Sequence, residues 1–280
     1  MRPRPWPRRT AAALLAAAVL LLTGCAPSVD PIERLGRKAA QRVRPETPAG
    51  LAADRPYRRW GLTAPLPAPP APRARPLRHA GRPPARPPVV DRVRTTDRVV
   101  FLTYGDGAER DPRLADMVRE LKLPVTLFLT DRVVGPGYGR FARLLSVGAG
   151  LQNHTLDHTA LRDLPYAGQR AEICGQRDKL HARFGVRPRL LRPPYGLWDA
   201  TTVRAAADCQ VRALVLWRAV MTDTRLRYAH GPHALRPGDI VLVTAGDDDV
   251  DGPPLHTRTT RLLRTVQREG LTVGRLEDYL

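Results

Sequence analysis

From residue 98 to the end of the chain, short apolar runs of strand length alternate with segments whose apolar residues recur at helical spacing. Val99 to Leu102 and Val125 to Leu129 read as buried strands, and Leu114, Met117, Val118 and Leu121 between them repeat as one face of a helix. Phe141, Leu144 and Leu145 mark a second helix, and a longer one is predicted from Ala167 to Arg183, ending at Gly185. Arg189 to Leu191 and Val211 to Trp217 read as strands separated by a helix over Thr201 to Ala207. Ile240 to Val243 is a further strand, followed by a helix carrying Leu262, Leu263 and Val266 and a last short run at Leu271 to Val273. Such alternation implies parallel strands with helical crossovers, either an α/β barrel or a doubly wound sheet. Both architectures gather their chemistry at the C-terminal ends of the strands.

The first third of the chain follows different rules. Of 29 prolines, 18 precede residue 98, together with 19 Arg/Lys against 6 Asp/Glu. No apolar run reaches the roughly 20 residues of a membrane-spanning helix, which excludes a polytopic membrane protein. Glycine has no three-residue period, which excludes a collagen-like chain. Only three of the 46 cations are lysine, an Arg skew that reflects codon bias rather than nucleic-acid binding.

Residues 1–25 have the form of an export signal. Arg2, Arg4, Arg8 and Arg9 precede an apolar stretch from Ala11 to Leu22, whose twelve residues span only about 18 Å as a helix. The stretch ends in Leu22-Thr23-Gly24-Cys25, which resembles a bacterial lipobox, in which the cysteine is lipidated and becomes the mature N-terminus. The expected location is the extracytoplasmic face of the cell membrane, held by a lipid on Cys25, with no nucleic-acid partner. Residues 26–92 read as a Pro/Arg-rich linker, because segments such as Pro65 to Pro72 and Pro83-Pro84 favour extended polyproline II. Arg73, Arg75, Arg78, Arg82 and Arg86 keep it solvated and could lie against anionic envelope polymers. Ile32 to Val43 could form a short amphipathic helix. The two remaining cysteines, Cys174 and Cys209, could pair in an oxidising compartment or stay as buried thiols.

Three clusters fall at strand ends in the globular part, residues 93–280: Thr103-Tyr104-Gly105-Asp106-Gly107, His154-Thr155-Leu156-Asp157-His158, and Arg192-Pro193-Pro194-Tyr195-Gly196. Two histidines four residues apart face one side if they lie on a helical turn. Asp106 from another strand end would complete a two-His, one-carboxylate set that leaves a coordination position open, as catalytic rather than structural metals require.

In these residues the chain resembles the polysaccharide deacetylases of the NodB-homology group, carbohydrate esterase family four, over about residues 98–280. The family's T-F-D-D-G motif is matched by Thr103 to Gly107, its H-[ST]-x-x-H by His154 to His158 behind Asn153, and its R-P-P-Y-G in full by Arg192 to Gly196. The Val125 to Thr130 segment resembles the family's A-T-F-F-V-T. The resemblance implies a distorted (β/α) barrel and a divalent metal, usually zinc, on Asp106, His154 and His158. It further implies Tyr195 at the oxyanion and hydrolysis of N-acetyl groups on peptidoglycan or chitin-like sugars.

Two positions depart from the pattern. The family's general base, the first aspartate of T-F-D-D-G, is Gly105 here, and its L-x-H histidine, the general acid, aligns with Thr244. Arg192 and Asp223, which the resemblance assigns as supports of the base and the acid, are retained. Loss of one acid or base costs about 10²–10⁴ in rate, and paired losses are not additive. Three readings compete. One is a metal- and glycan-binding pseudoenzyme. A second is an active N-deacetylase using Asp157, Glu109, Asp247, Asp248, Asp249 or His256 instead. The third is a structural envelope lipoprotein.

Overall fold

The computed structural model describes residues 55–72, 84–134, 138–244 and 252–280. The signal segment, Cys25, Ile32 to Val43 and Asp247 to Asp249 lie outside these residues. Ten strands form the sheet: β1 Val89–Val90, β2 Val99–Tyr104, β3 Thr126–Leu129, β4 Gly150–Asn153, β5 Leu190–Leu191, β6 Ala213–Val215, β7 Ala219–Met221, β8 Leu226–Tyr228, β9 Ile240–Val243 and β10 Thr272–Val273. Their order is β1-β6-β5-β4-β3-β2-β9-β7-β8, with β10 paired to the start of β2. All pairings are parallel except β7 with β8. The described helices are α1 Pro56–Arg59, α2 Pro112–Leu121, α3 Asp131–Val134, α4 Tyr138–Ser146, α5 Tyr166–Phe184, α6 Ala200–Asp208, α7 Leu255–Arg268 and α8 Leu276–Tyr279. This is the distorted (β/α) barrel that the family resemblance implies. Among the described residues no helix is long and apolar enough to cross a membrane.

The β2 strand shows how the sequence builds two cores at once. All six of its side chains are buried, and alternate residues face opposite sides of a strand. Val99 and Phe101 join Phe128, Leu190, Val215 and Ile240 in the barrel interior, where α8 contributes Leu276 and Tyr279. Val100, Leu102 and Tyr104 face the helical layer with Leu114, Met117 and Val118 of α2 and Leu262, Leu263 and Val266 of α7. The buried Tyr104 hydroxyl finds its partner in Thr259 Oγ1 at 2.8 Å, so the phenol leaves no orphaned polar atom. The long α5 ends at Gly185 in the left-handed conformation, as its sequence predicts.

The linker expected over residues 26–92 differs in two places. The compact unit begins at Asp54. Residues 55–72 lie on the barrel: Trp60 and Leu62 are buried, and the Trp60 indole donates to Glu120 at 2.8 Å. Val89–Val90 adds an edge strand to β6. Proline lacks a donor but keeps its carbonyl, and an extended chain offers its carbonyls outward. Those carbonyls are taken up by the barrel: Arg264 donates to Gly61 O at 2.8 Å, Gln267 to Ala64 O at 2.6 Å, and Thr272 to Pro67 O. Proline-rich composition therefore marks an extended segment here without marking a detached one.

Cys174 of α5 and Cys209 at the end of α6 are joined as a disulfide, their Cα atoms 5.0 Å apart. Of the two possibilities left open by the sequence, the structure takes the bond.

Candidate metal centre

Each of the three clusters follows a parallel strand: Gly105 and Asp106 follow β2, His154 follows β4, and Arg192 follows β5. The parallel register brings them to one mouth. One ligand atom from each of Asp106, His154 and His158 lies within 4.8 Å of the others, the set that could hold a metal ion. The histidines are not on a helical turn, contrary to the spacing argument. They lie in the loop after β4, and left-handed backbone at Thr155 (φ 74) and His158 (φ 58) folds the second imidazole back over the first. Thr155 N–H donates to Asn153 Oδ1 at 2.8 Å, and the N–H groups of Leu156 and Asp157 both donate to Glu172 Oε2 at 3.0 Å, so the turn is held from β4 and from α5.

The imidazole of His154 is positioned for a cation. Its Nδ1 lies 2.7 Å from Arg192 O, and a carbonyl can only accept, so Nδ1 carries the proton. The Nε2 lone pair of the neutral ring then faces His158 Nε2 at 3.1 Å. Burial, reinforced by His158, pushes the His154 pKa down to about 3, so the ring is neutral near physiological pH. Asp106 Oδ1 accepts the Thr130 N–H at 3.0 Å, which fixes its carboxylate from the end of β3. Two imidazole nitrogens and one carboxylate suit a borderline divalent ion with open positions. The backbone acceptor on His154 is the kind of outer support that fixes a ligand's tautomer.

The positions expected to move protons are built differently. A Cβ added to Gly105 meets no heavy atom within 4 Å. Arg192 is 1% exposed and stacked 4.1 Å from the Phe128 ring. Its Nη2 donates to Thr103 Oγ1 at 2.8 Å and its Nε to Val215 O at 3.3 Å, while Nη1 has no hydrogen-bond partner. Burial without a carboxylate lowers its pKa to about 9. Thr244 follows β9, and its carbonyl accepts from Arg258 Nη1 at 2.7 Å. Arg258 is itself buried and donates Nε to Pro253 O at 2.8 Å. Asp223 accepts from the Thr224 backbone N–H at 2.8 Å, which holds its carboxyl below the ordinary value.

None of the substitute acids and bases among the described residues joins the Asp–His–His set. Asp157 is exposed. His256 Nδ1 pairs with Asp111 Oδ2 at 2.8 Å and packs edge-on against Trp60. Glu109 lines a separate cavity of about 470 Å³ with Arg110, Arg140 and Arg143. Tyr195 does belong to the mouth: its ring is 4.8 Å from that of His158 and 58% exposed, as Trp198 three residues on is 40% exposed. Sequence reasoning missed Trp198, Thr103 and Arg258. No motif contains Trp198 or Arg258, and the signals available were an isolated tryptophan after R-P-P-Y-G and an arginine on the inner face of α7.

A parallel barrel with an Asp–His–His set at its strand ends defines the NodB-homology class of family-four carbohydrate esterases. The chain belongs to this family: the polysaccharide deacetylase profile matches residues 92–214. It is similar to the uncharacterized protein SCO4760 of Streptomyces coelicolor, 60% identical over 209 residues covering 73% of this chain and 82% of that one. It is also similar to a chitooligosaccharide deacetylase of a Bradyrhizobium species, 27% identical over 158 residues, 53% of this chain and 71% of that one. Among solved structures its fold is like that of BA3943, a family-four pseudoenzyme from Bacillus anthracis, with TM-score 0.57 at 21% identity over 69% of each chain.

Proposed function

We propose that this is a lipid-anchored, extracytoplasmic protein that binds a divalent metal and N-acetylated envelope glycans and is impaired as a deacetylase. The observation that carries the reading is an imbalance: the ligand set and its supports are retained, while the base position is a glycine opening onto space. Asp106, His154 and His158 would hold the ion, which when bound supplies a Lewis acid for an acetamide carbonyl. Zinc is the expected ion for this donor set. The Tyr195 backbone N–H would face the same carbonyl oxygen, and the exposed rings of Tyr195 and Trp198 offer flat apolar faces to sugar rings. Gly105 has no group to take a proton from water, and a Thr244 hydroxyl is too weakly acidic to give one to a departing amine. Fold relatives support the plausibility of a disabled member: BA3943 is described as a pseudoenzyme, and a mutant of it as having restored activity. The glycan class is supported by relatives named as chitooligosaccharide and peptidoglycan-N-acetylglucosamine deacetylases.

Export is supported by the charged and apolar segments of residues 1–25 and by the Cys174–Cys209 disulfide, which persists outside the reducing cytosol. In this reading a lipid on Cys25 holds the protein at the membrane, and the basic stretch beyond it could meet anionic polymers. Cys25→Ser should move the protein from the membrane fraction to the medium, and retention in the membrane would contradict the anchor.

The decisive experiment titrates N-acetylated oligosaccharides into zinc-loaded wild type and assays acetate release. Binding is expected with release barely above the metal-free control. Rapid turnover by the unmodified protein would overturn the impaired reading, and absence of both zinc and glycan binding would favour a purely structural lipoprotein.

A further inference from the structure

The loop that carries His158 stands in a conformation it would not hold by itself. Asp106 is fixed by the Thr130 N–H, and His154 by its place directly after β4 and by Arg192 O. His158 comes four residues later, from a loop whose backbone is left-handed at Thr155 (φ 74) and at His158 itself (φ 58). Residues with a Cβ seldom adopt this region, a β-branched threonine least of all, and such conformations persist only where the surroundings over-determine them. Whatever holds the loop therefore sets where the second imidazole stands.

One stretch of α5, residues 172–175, meets this loop and its root in β4. Glu172 Oε2 accepts the N–H groups of both Leu156 and Asp157 at 3.0 Å. Ile173 O accepts from Asn153 Nδ2 at 2.8 Å, and Asn153 Oδ1 in turn accepts the Thr155 N–H. Gly175 lets the Leu156 side chain lie against the helix, since an added Cβ would stand 2.7 Å from Leu156 Cδ1. Between them Cys174 ties the same turn of α5 to Cys209. The Glu172 carboxylate thus takes up the backbone donors that lie between the left-handed positions 155 and 158, and N–H bonds to an ionised acceptor are stronger than neutral ones.

We infer that Glu172 is a positioning residue of the metal centre, which pins residues 156 and 157 and so keeps the His158 ring 4.7 Å from that of His154. Glu172 is not one of the ligands. It acts through the loop backbone, and the affinity of the Asp106–His154–His158 set depends on it. The inference rests on the proposed metal binding. What the role requires is an acceptor at the right reach. An amide oxygen in the same place can accept the same N–H groups, whereas a carboxylate one methylene shorter falls short of them. With the loop released, the His158 imidazole is free to leave, and a site prepared for three ligands keeps two.

The test measures zinc affinity of the full chain, disulfide intact, by competition with a chelating indicator. Glu172→Ala should bind zinc about 10–100-fold more weakly than wild type. Glu172→Gln keeps an acceptor at the same reach and should recover most of that loss. Glu172→Asp keeps the charge but not the reach, so it should bind zinc less tightly than Glu172→Gln; it is the second variant if the alanine one fails to fold. Cobalt in place of zinc gives a readout that a general loss of stability would not move. The visible spectrum of cobalt-loaded Glu172→Ala should shift towards that of His158→Ala, while that of Glu172→Gln stays with wild type. Wild-type affinity in Glu172→Ala, an aspartate that outperforms glutamine, or an unshifted cobalt spectrum would overturn the positioning role. If wild type itself bound no zinc, the metal reading would fall and this inference with it. Zinc bound by wild type and lost in His154→Ala, but unaffected by Glu172→Ala, would overturn the inference alone.

Discussion

Each end of the barrel carries a glycine and a charged side chain, and the two glycines are there for different reasons. At the end where the strands begin, Glu277 of α8 accepts from Thr126 Oγ1 at 3.0 Å and Gln152 Nε2 at 3.2 Å. A Cβ on Gly150 would lie 2.0 Å from its Oε1. Glycine at 150 is imposed by the packing, because the carboxylate occupies the space a side chain would need. At the mouth, Gly105 has no such crowding. Nothing in the fold requires glycine there. The absence of a side chain at 105 is a matter of chemistry rather than of space, while Arg192 keeps an Nη1 without a hydrogen-bond partner and Glu277 has two donors.

The largest expected effect tests whether the mouth keeps one function after losing another. Purified wild type should carry near-stoichiometric zinc, and His154→Ala should carry almost none by elemental analysis. Equal metal content in the two would remove the ligand set from the argument. A smaller effect should come from refilling both vacant positions. Gly105→Asp with Thr244→His should raise acetate release by roughly 10²–10⁴ over wild type, and each alone by much less, because base and acid serve successive proton transfers. Asp fits at 105 without a clash, whereas histidine at 244 must share its surroundings with Arg258. If the double variant stays at the wild-type rate, the deficit lies beyond these two residues.

The smallest effect belongs to the closed end. Burial raises the Glu277 carboxyl above its ordinary value, against the pull of its hydrogen bonds. A carboxyl raised by folding contributes its stability below the unfolded pKa and loses it as pH rises through the folded one. Glu277→Gln removes that loss, so its advantage over wild type should be absent near pH 4 and reach about 1 kcal/mol by pH 8 in urea titrations. A variant that is less stable at pH 8 would mean the ionised carboxylate is a net asset there, and the contrast between the two ends would narrow.

The sequence placed most of the helices and the apolar strands, because Val, Leu, Ile and Phe at periods of two and 3.6 leave few other ways to bury themselves. It missed β4, whose residues Gly150, Leu151, Gln152 and Asn153 make no apolar run. Gln152 and Asn153 are nevertheless buried. Gln152 Oε1 accepts from the N–H groups of Arg189 and Leu190, and Asn153 donates to Ile173 O at 2.8 Å. Those partners are twenty or more residues away, and no local pattern reports them. The same division holds at the mouth. Order and spacing of the motifs pointed to Asp106, His154 and His158, since residue type fixes what can ligate a metal, and the family resemblance pointed to Gly105 and Arg192. That His154 is protonated on Nδ1, that Arg192 is buried with an unpartnered Nη1, and that space opens at Gly105 were decided by tertiary structure alone. Solvation, tautomer and counter-charge are set by atoms brought together from β2, β3, β5 and β6, and a linear sequence does not contain their distances.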